Sequence, residues 1–362
     1  MNGSLSFKEA IRESRNLWDL SFPDEGEYTD FYFSRRCTKD VMLCLHKTGD
    51  TFDSAFQLFP YQMNLKGILT HTLYMSGVCT HPDMRGKGHM ELCMKENLAQ
   101  LTNGEATLVT LIPANEKLFT YYRRFGFTEI ATRQITEYHK KTVHSDNKNL
   151  HTENISVASA TAKQRHDIYQ MFRQKWESMP NSIIHTEQDF QDVLDAYIPD
   201  NLHLLLCSQP EKKQEPTAAV LYSERTSEIF VHDFVTTSKN DTTSVLSYLC
   251  PEAETSEDGT AEKTKPVRFF SYESKPFMMA RILNPKKAIA LYSETSHSEN
   301  THIHLTDNLL ESNSGYYSMT SDKVLKTEKP VKGIQYVKMT PEQLTAHLFQ
   351  NTQLHASLML DY

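Results

Sequence analysis

The segment Val78-Cys79-Thr80-His81-Pro82-Asp83-Met84-Arg85-Gly86-Lys87-Gly88-His89-Met90 constrains this chain more than any other stretch. It begins as an apolar strand, and Pro82, which cannot donate to a ladder, ends it. The basic turn Arg85-Gly86-Lys87-Gly88 follows, and beyond it Met90, Cys93, Met94, Leu98 and Leu101 recur mostly at spacings of three and four. That periodicity predicts an amphipathic helix over 88–101. A helix start carries amides without intrahelical partners and a partial positive charge, which suits a phosphate. Gly86 and Gly88 allow close backbone approach, and Arg85 and Lys87 add full charges.

A second block, Leu118-Phe119-Thr120-Tyr121-Tyr122-Arg123-Arg124-Phe125-Gly126-Phe127, follows about one strand later. Asn115 is a suitable N-cap for its helix, and Gly126 a suitable C-terminal stop. Together the two blocks resemble the GNAT acetyltransferase superfamily. Its pyrophosphate loop reads Arg/Gln-x-x-Gly-x-Gly/Ala, and a later Tyr precedes a Gly-Phe pair by four residues. Arg85, Gly88 and Tyr122 match this pattern; Met90 stands where Gly or Ala is usual, a departure also seen in the Eis (enhanced intracellular survival) subgroup.

The rest of the chain is read by pattern. Ser6-Phe7-Lys8-Glu9 fits a capping box. Val41–Leu45 and Phe56–Phe59 flank the turn signal Lys47-Thr48-Gly49-Asp50 and predict two strands. Met75–Thr80 and the continuous apolar-rich run Ala106–Ile112 predict two more. The polar stretch His144–Glu153 reads as a linker, and Ile168–Trp176 as a helix. Leu204–Cys207, Ala218–Tyr222 and Ile229–Val235 read as strands, and Cys250–Gly259 as an acidic loop. Beyond residue 275, Met279–Leu283 and Thr301–Asp307 precede the turn signal Asn313-Ser314-Gly315-Tyr316-Tyr317.

This order resembles the Eis family along nearly the whole chain. The resemblance implies an α/β (α+β) protein: a GNAT mixed sheet with flanking helices over 1–143, a degenerate GNAT-like domain over 144–274, and a domain similar to sterol carrier protein over 275–362. It implies an acetyl-CoA-dependent N-acetyltransferase acting on a primary amine: an aminoglycoside-like molecule, a polyamine or a lysine. The backbone amides of Val78, Cys79 and Thr80 would meet the pantetheine arm and thioester. Arg85, Gly86, Lys87, Gly88, His89 and Met90 would hold the diphosphate, and Asn115 would lie beside the pantetheine. Tyr122 would protonate the departing sulfur, and the terminal carboxylate of Tyr362 would reach the amine. The alternatives are a non-catalytic protein binding CoA or an apolar ligand, and a transferase of a longer acyl chain. Family members often form rings, which keeps a homo-oligomer open.

Composition excludes several other classes. A net charge of −8 opposes nonspecific nucleic-acid binding, which depends on phosphate neutralisation. No apolar run approaches the roughly 18 residues of a membrane span, and no apolar signal segment opens the chain, so a cytoplasmic protein is expected. The six cysteines lack Cys-x-x-Cys spacing and read as small buried apolar residues. The sixteen histidines show no metal-ligand spacing on one helix face, so no metal is expected.

Overall fold

Helix α1 (Phe7–Ser21) starts where the capping box places it: the Ser6 side chain accepts from the Glu9 amide, and the Glu9 carboxylate accepts from the Ser6 amide. Each satisfies an amide the helix leaves open. One face buries Leu17 and Trp18. A short helix α2 (Gly26–Phe31) follows and runs into a π-helical turn, Tyr32–Arg36. The computed structural model describes residues 5–23, 26–138, 150–212, 215–237, 248–249, 265–296, 301–320 and 323–359.

Strands β1 (Met42–Thr48) and β2 (Thr51–Leu65) pair antiparallel across Gly49, whose φ of +63° suits the tight turn. Strand β3 (Ile68–Thr80) lies antiparallel to β2. Helix α3 (His89–Ala99) then crosses to β4 (Leu108–Leu111), which is parallel to β3 and buried along its length. Helix α4 (Glu116–Arg123) leads into β5 (Thr128–Tyr138).

Strand β6 (His151–Ser156) claims residues 151–153 from the expected linker by pairing with β8 (Leu202–Ser208). Between them lie helix α5 (Ala162–Ser178), strand β7 (Asn181–Ile184) and helix α6 (Glu187–Ala196). Strands β9 (Pro216–Glu224) and β10 (Ile229–Thr236) continue the meander. The acidic stretch Cys250–Gly259 lies outside the described residues.

Strand β11 (Val267–Ile282) joins the two halves, and the expected boundary at 274/275 falls inside it. Its first residues pair parallel with β10, and its last pair antiparallel with β4. Strand β5 pairs along most of its length. Among the described residues one sheet therefore runs β1-β2-β3-β4-β11-β10-β9-β8-β6, with β5 on β11 and β7 on β2. A second sheet, ordered β14-β13-β12-β15, is built from β12 (His302–Leu305), β13 (Gly315–Met319), β14 (Val324–Thr327) and β15 (Val337–Met339).

One apolar core contains Trp18, Met63 and Leu108 together with Met278, Ile289, Leu305 and Leu344, so the two ends of the chain pack into each other. The fully buried Arg281 of β11 reinforces this, donating to the Phe125 carbonyl at 2.5 Å and pairing with Asp307 at 2.6 Å. No helix among the described residues is long and apolar enough to cross a membrane.

Candidate active site

The site begins with a fault in β3. Opposite Phe56 of β2, β3 carries one extra residue at Gly77-Val78, a bulge, and Gly77 takes φ +60°. A Cβ there would stand 2.1 Å from Gln57 Oε1 and 2.4 Å from the Trp18 ring, so glycine is required. Pairing between β3 and β4 ends just before this point, at Tyr74 opposite Thr110, while β3 continues to Thr80. The two parallel strands splay. Successive amides alternate between a strand's two sides, so those beyond Tyr74 that face away from β2 have no β4 partner.

The turn that follows delivers the chain to α3. A single 3-10 turn, Pro82–Met84, is capped by the His81 side chain, which accepts from the Asp83 amide. Gly86 and Gly88 then take φ +75° and +86°, the left-handed region that L side chains avoid. Gly88 is also the N-cap of α3 and has no side chain to offer, so the first amides of that helix are left for another acceptor. The Arg85 guanidinium donates back to the Thr80 carbonyl at 3.1 Å, which fixes the turn against the end of β3.

Helix α4 presents Tyr122 to the same space. Its N-cap is Asn115, whose side chain accepts from the Lys117 and Leu118 amides. Tyr122 is 5% exposed, and its hydroxyl has no hydrogen-bond partner among the described residues. Burial, with the neighbouring Tyr121 phenol adding to it, pushes the Tyr122 phenol well above its ordinary value. It therefore stays protonated at neutral pH and can donate. Arg281 holds the end of this helix through the Phe125 carbonyl.

These elements enclose a cleft of about 540 Å³. Of the residues expected from the sequence, Val78, Cys79, Thr80, Arg85, Gly86, Gly88, His89, Met90 and Tyr122 line it. Lys87 does not; its ammonium lies over Met84 Sδ on the exposed outer side of the turn. Asn115 does not either; its side-chain oxygen caps α4. Tyr362 lies outside the described residues. Cys79 contributes backbone and bulk, since burial pushes its thiol up to about 12. Cys37, Cys44 and Cys93 are likewise free and buried, and Cys207 is buried.

The cleft adds residues the motifs did not single out. Ser21 and Phe22 from the end of α1 close one side, and Glu91, Leu118, Tyr121, Arg124 and Phe125 line it further. Phe22 packs on Trp18 with ring centroids 5.0 Å apart. The cleft thus joins the end of β3 that β4 does not pair, an uncapped helix start and a protonated phenol. Such a combination can grip a diphosphate, align an extended arm along β3 and donate a proton at its far end.

Residues 6–130 match the family described as acetyltransferase (GNAT) domain. No curated protein matches the chain. Among solved structures, a GCN5-related N-acetyltransferase from Anabaena variabilis aligns with TM-score 0.70 at 16% identity, covering 96% of this chain and 95% of that one. A conserved protein from Enterococcus faecalis, described as a probable N-acyltransferase, aligns with TM-score 0.71 at 16% identity, covering 93% and 87%. Eis1 from Mycobacterium abscessus aligns with TM-score 0.64 at 12% identity, covering 95% and 87%.

Proposed function

We propose that the protein transfers an acetyl group from acetyl-CoA to a primary amine, a reading supported by the match of residues 6–130 to the GNAT acetyltransferase domain and by a fold that resembles that of Eis1. The observation that carries this reading is that Arg85, Gly86, Gly88, His89 and Met90 of the turn line one cleft together with Tyr122. The uncapped start of α3 and Arg85 suit the diphosphate. The end of β3 beyond its pairing with β4 suits the pantetheine arm and the thioester carbonyl.

In the transfer, the amine nitrogen bonds to the carbonyl carbon as the carbon–sulfur bond breaks, and sulfur leaves with the electron pair. Tyr122 supplies the proton that sulfur takes up. A thiol titrates near about 8.5 and a phenol near about 10, so burial keeps the phenol protonated until charge builds beside it. The ammonium proton formed on the new bond passes to a base, the role assigned here to the carboxylate of Tyr362. The described tail is anchored away from its end: Ser357 Oγ donates to Asp233 at 2.6 Å, and the Ile183 amide donates to the His355 carbonyl at 2.9 Å. Extending the chain by a few residues past Tyr362 lowers turnover with little change in acetyl-CoA affinity; full activity in the extended protein removes the carboxylate from the mechanism.

The same reading makes 144–274 a GNAT-like domain without a glycine turn and 275–362 a sterol-carrier-like domain. The acceptor class is an aminoglycoside-like amine, a polyamine or a lysine side chain. Release of free thiol from acetyl-CoA, followed across a panel of such amines, tests the proposal. Amine-dependent release supports it, and binding of CoA without release from any acceptor sinks it in favour of a carrier.

A further inference from the structure

Behind the phosphate turn, on the side formed by the β1–β2 hairpin, three side chains from separate elements converge. His46 comes from β1, Asp53 from β2, and His89 is the first residue of α3. One nitrogen of each imidazole and one oxygen of the carboxylate lie within 4.8 Å of one another. We propose that these three side chains bind a divalent transition ion of the Zn²⁺ class.

The details favour a metal over a simple ion pair. His89 Nδ1 stands 3.3 Å from Asp53 Oδ2. A charge-assisted N–H···O bond is usually about 2.7–2.9 Å, whereas two ligands about 2.0–2.1 Å from a tetrahedral Zn²⁺ stand about 3.3 Å apart. Thr48 Oγ1 donates to Asp53 Oδ2 at 2.7 Å, which orients the carboxylate. Asp53 is fully buried, and its other oxygen, Oδ1, has no hydrogen-bond partner among the described residues. A buried carboxylate left in that state is costly unless a cation meets it.

Glu96 sets the tautomer of His46. Its Nδ1 lies 2.9 Å from Glu96 Oε2. With the Nδ1 proton donated to that carboxylate, Nε2 carries the lone pair, the arrangement in which an outer carboxylate fixes a metal-binding tautomer. Two imidazoles and one carboxylate form a borderline ligand set that suits Zn²⁺ and leaves a position for water. The ion would tie the hairpin to the first residue of α3, directly behind the turn that lines the cleft.

The test uses the full chain, stripped with a chelator and titrated with ZnCl2 by calorimetry, with CoCl2 followed by visible absorption as a geometric probe. The expected result is one saturable site per chain, weakened at least about tenfold in His46→Gln and in Asp53→Asn, with Glu96→Gln losing about tenfold or more. Both ligand variants preserve side-chain bulk, and thermal unfolding in chelator verifies that each is folded. Absence of a saturable site overturns the proposal. So does unchanged affinity in either ligand variant, because the ion would then sit on others of the sixteen histidines.

Discussion

The cleft and the seam where the π-helical turn meets α6 each bury a tyrosine, and the two hydroxyls meet opposite fates. Tyr61 is 7% exposed and Tyr122 5%. Burial, with the Asp189 charge adding to it, raises the Tyr61 phenol far above its ordinary value. Tyr61 donates to Asp189 at 2.8 Å and accepts from Arg36 at 3.0 Å. Asp189 also meets Arg36 and His185. Burial alone would raise that carboxyl, but His185 and Arg36 hold it below the usual carboxylate range. At the seam every partner is supplied by the protein, and the phenol serves architecture. At the cleft the phenol faces space shaped for something else.

That contrast can be broken, most sharply at Tyr122. Tyr122→Phe removes a hydroxyl that has no hydrogen-bond partner among the described residues, so the melting temperature should hold while acetyl transfer falls about a hundredfold or more. Steady-state thiol release beside calorimetric melting checks both, and equal rates would return Tyr122 to the core. Tyr61→Phe should do the reverse: transfer unchanged, but stability down by about 2 kcal/mol, because two bonds to charged groups are lost. Denaturant titration reads this, and an unchanged midpoint would mean the seam does not depend on the phenol.

His232, another buried group on the partnered side, links the comparison to pH. Ser223 Oγ lies 2.9 Å from its Nε2, and burial, helped by Arg225, lowers its pKa to about 3. The unfolded chain therefore binds this proton more readily than the folded one between about pH 6.5 and about pH 3, and stability declines as pH falls through that window. From pH 6.5 to 5 the loss should be about 2 kcal/mol. Denaturation midpoints at the two pH values check it, and His232→Gln should flatten the slope. The smallest effect belongs to the exposed turn. Arg85→Ala should weaken acetyl-CoA binding about tenfold, by analogy with other single charge-assisted contacts, with kcat at saturation little changed. Unaltered affinity would move the diphosphate elsewhere.

What could be read beforehand follows the range of the forces involved. The capping box of α1, the hairpin turn at Gly49, the glycine turn and the start of α3 are fixed by neighbours a few residues apart, and each formed where the residues indicated. The capping role of Asn115 was legible for the same reason, since it is set by amides two and three residues on. Gly77 was open to reading, since an isolated glycine inside an apolar strand signals a bulge. Ser21 and Phe22 were not, because only tertiary packing brings the end of α1 to β3. Nor was the reach of β11, whose pairings lie more than a hundred residues away on β4 and β5. His46, Asp53 and His89 escape any local spacing rule for the same reason.

The double duty of β11 bears on how this protein can be divided. A fragment cut at residue 143 would keep the glycine turn and Tyr122 but leave two bare strand edges, one of them the wholly buried β4. Bare edges of that kind recruit other chains. It would also lose Arg281, the clamp on the end of the helix that carries the phenol. The second half is therefore the mould in which the first half's chemistry is cast, and a minimal catalytic fragment should clump before it turns over substrate.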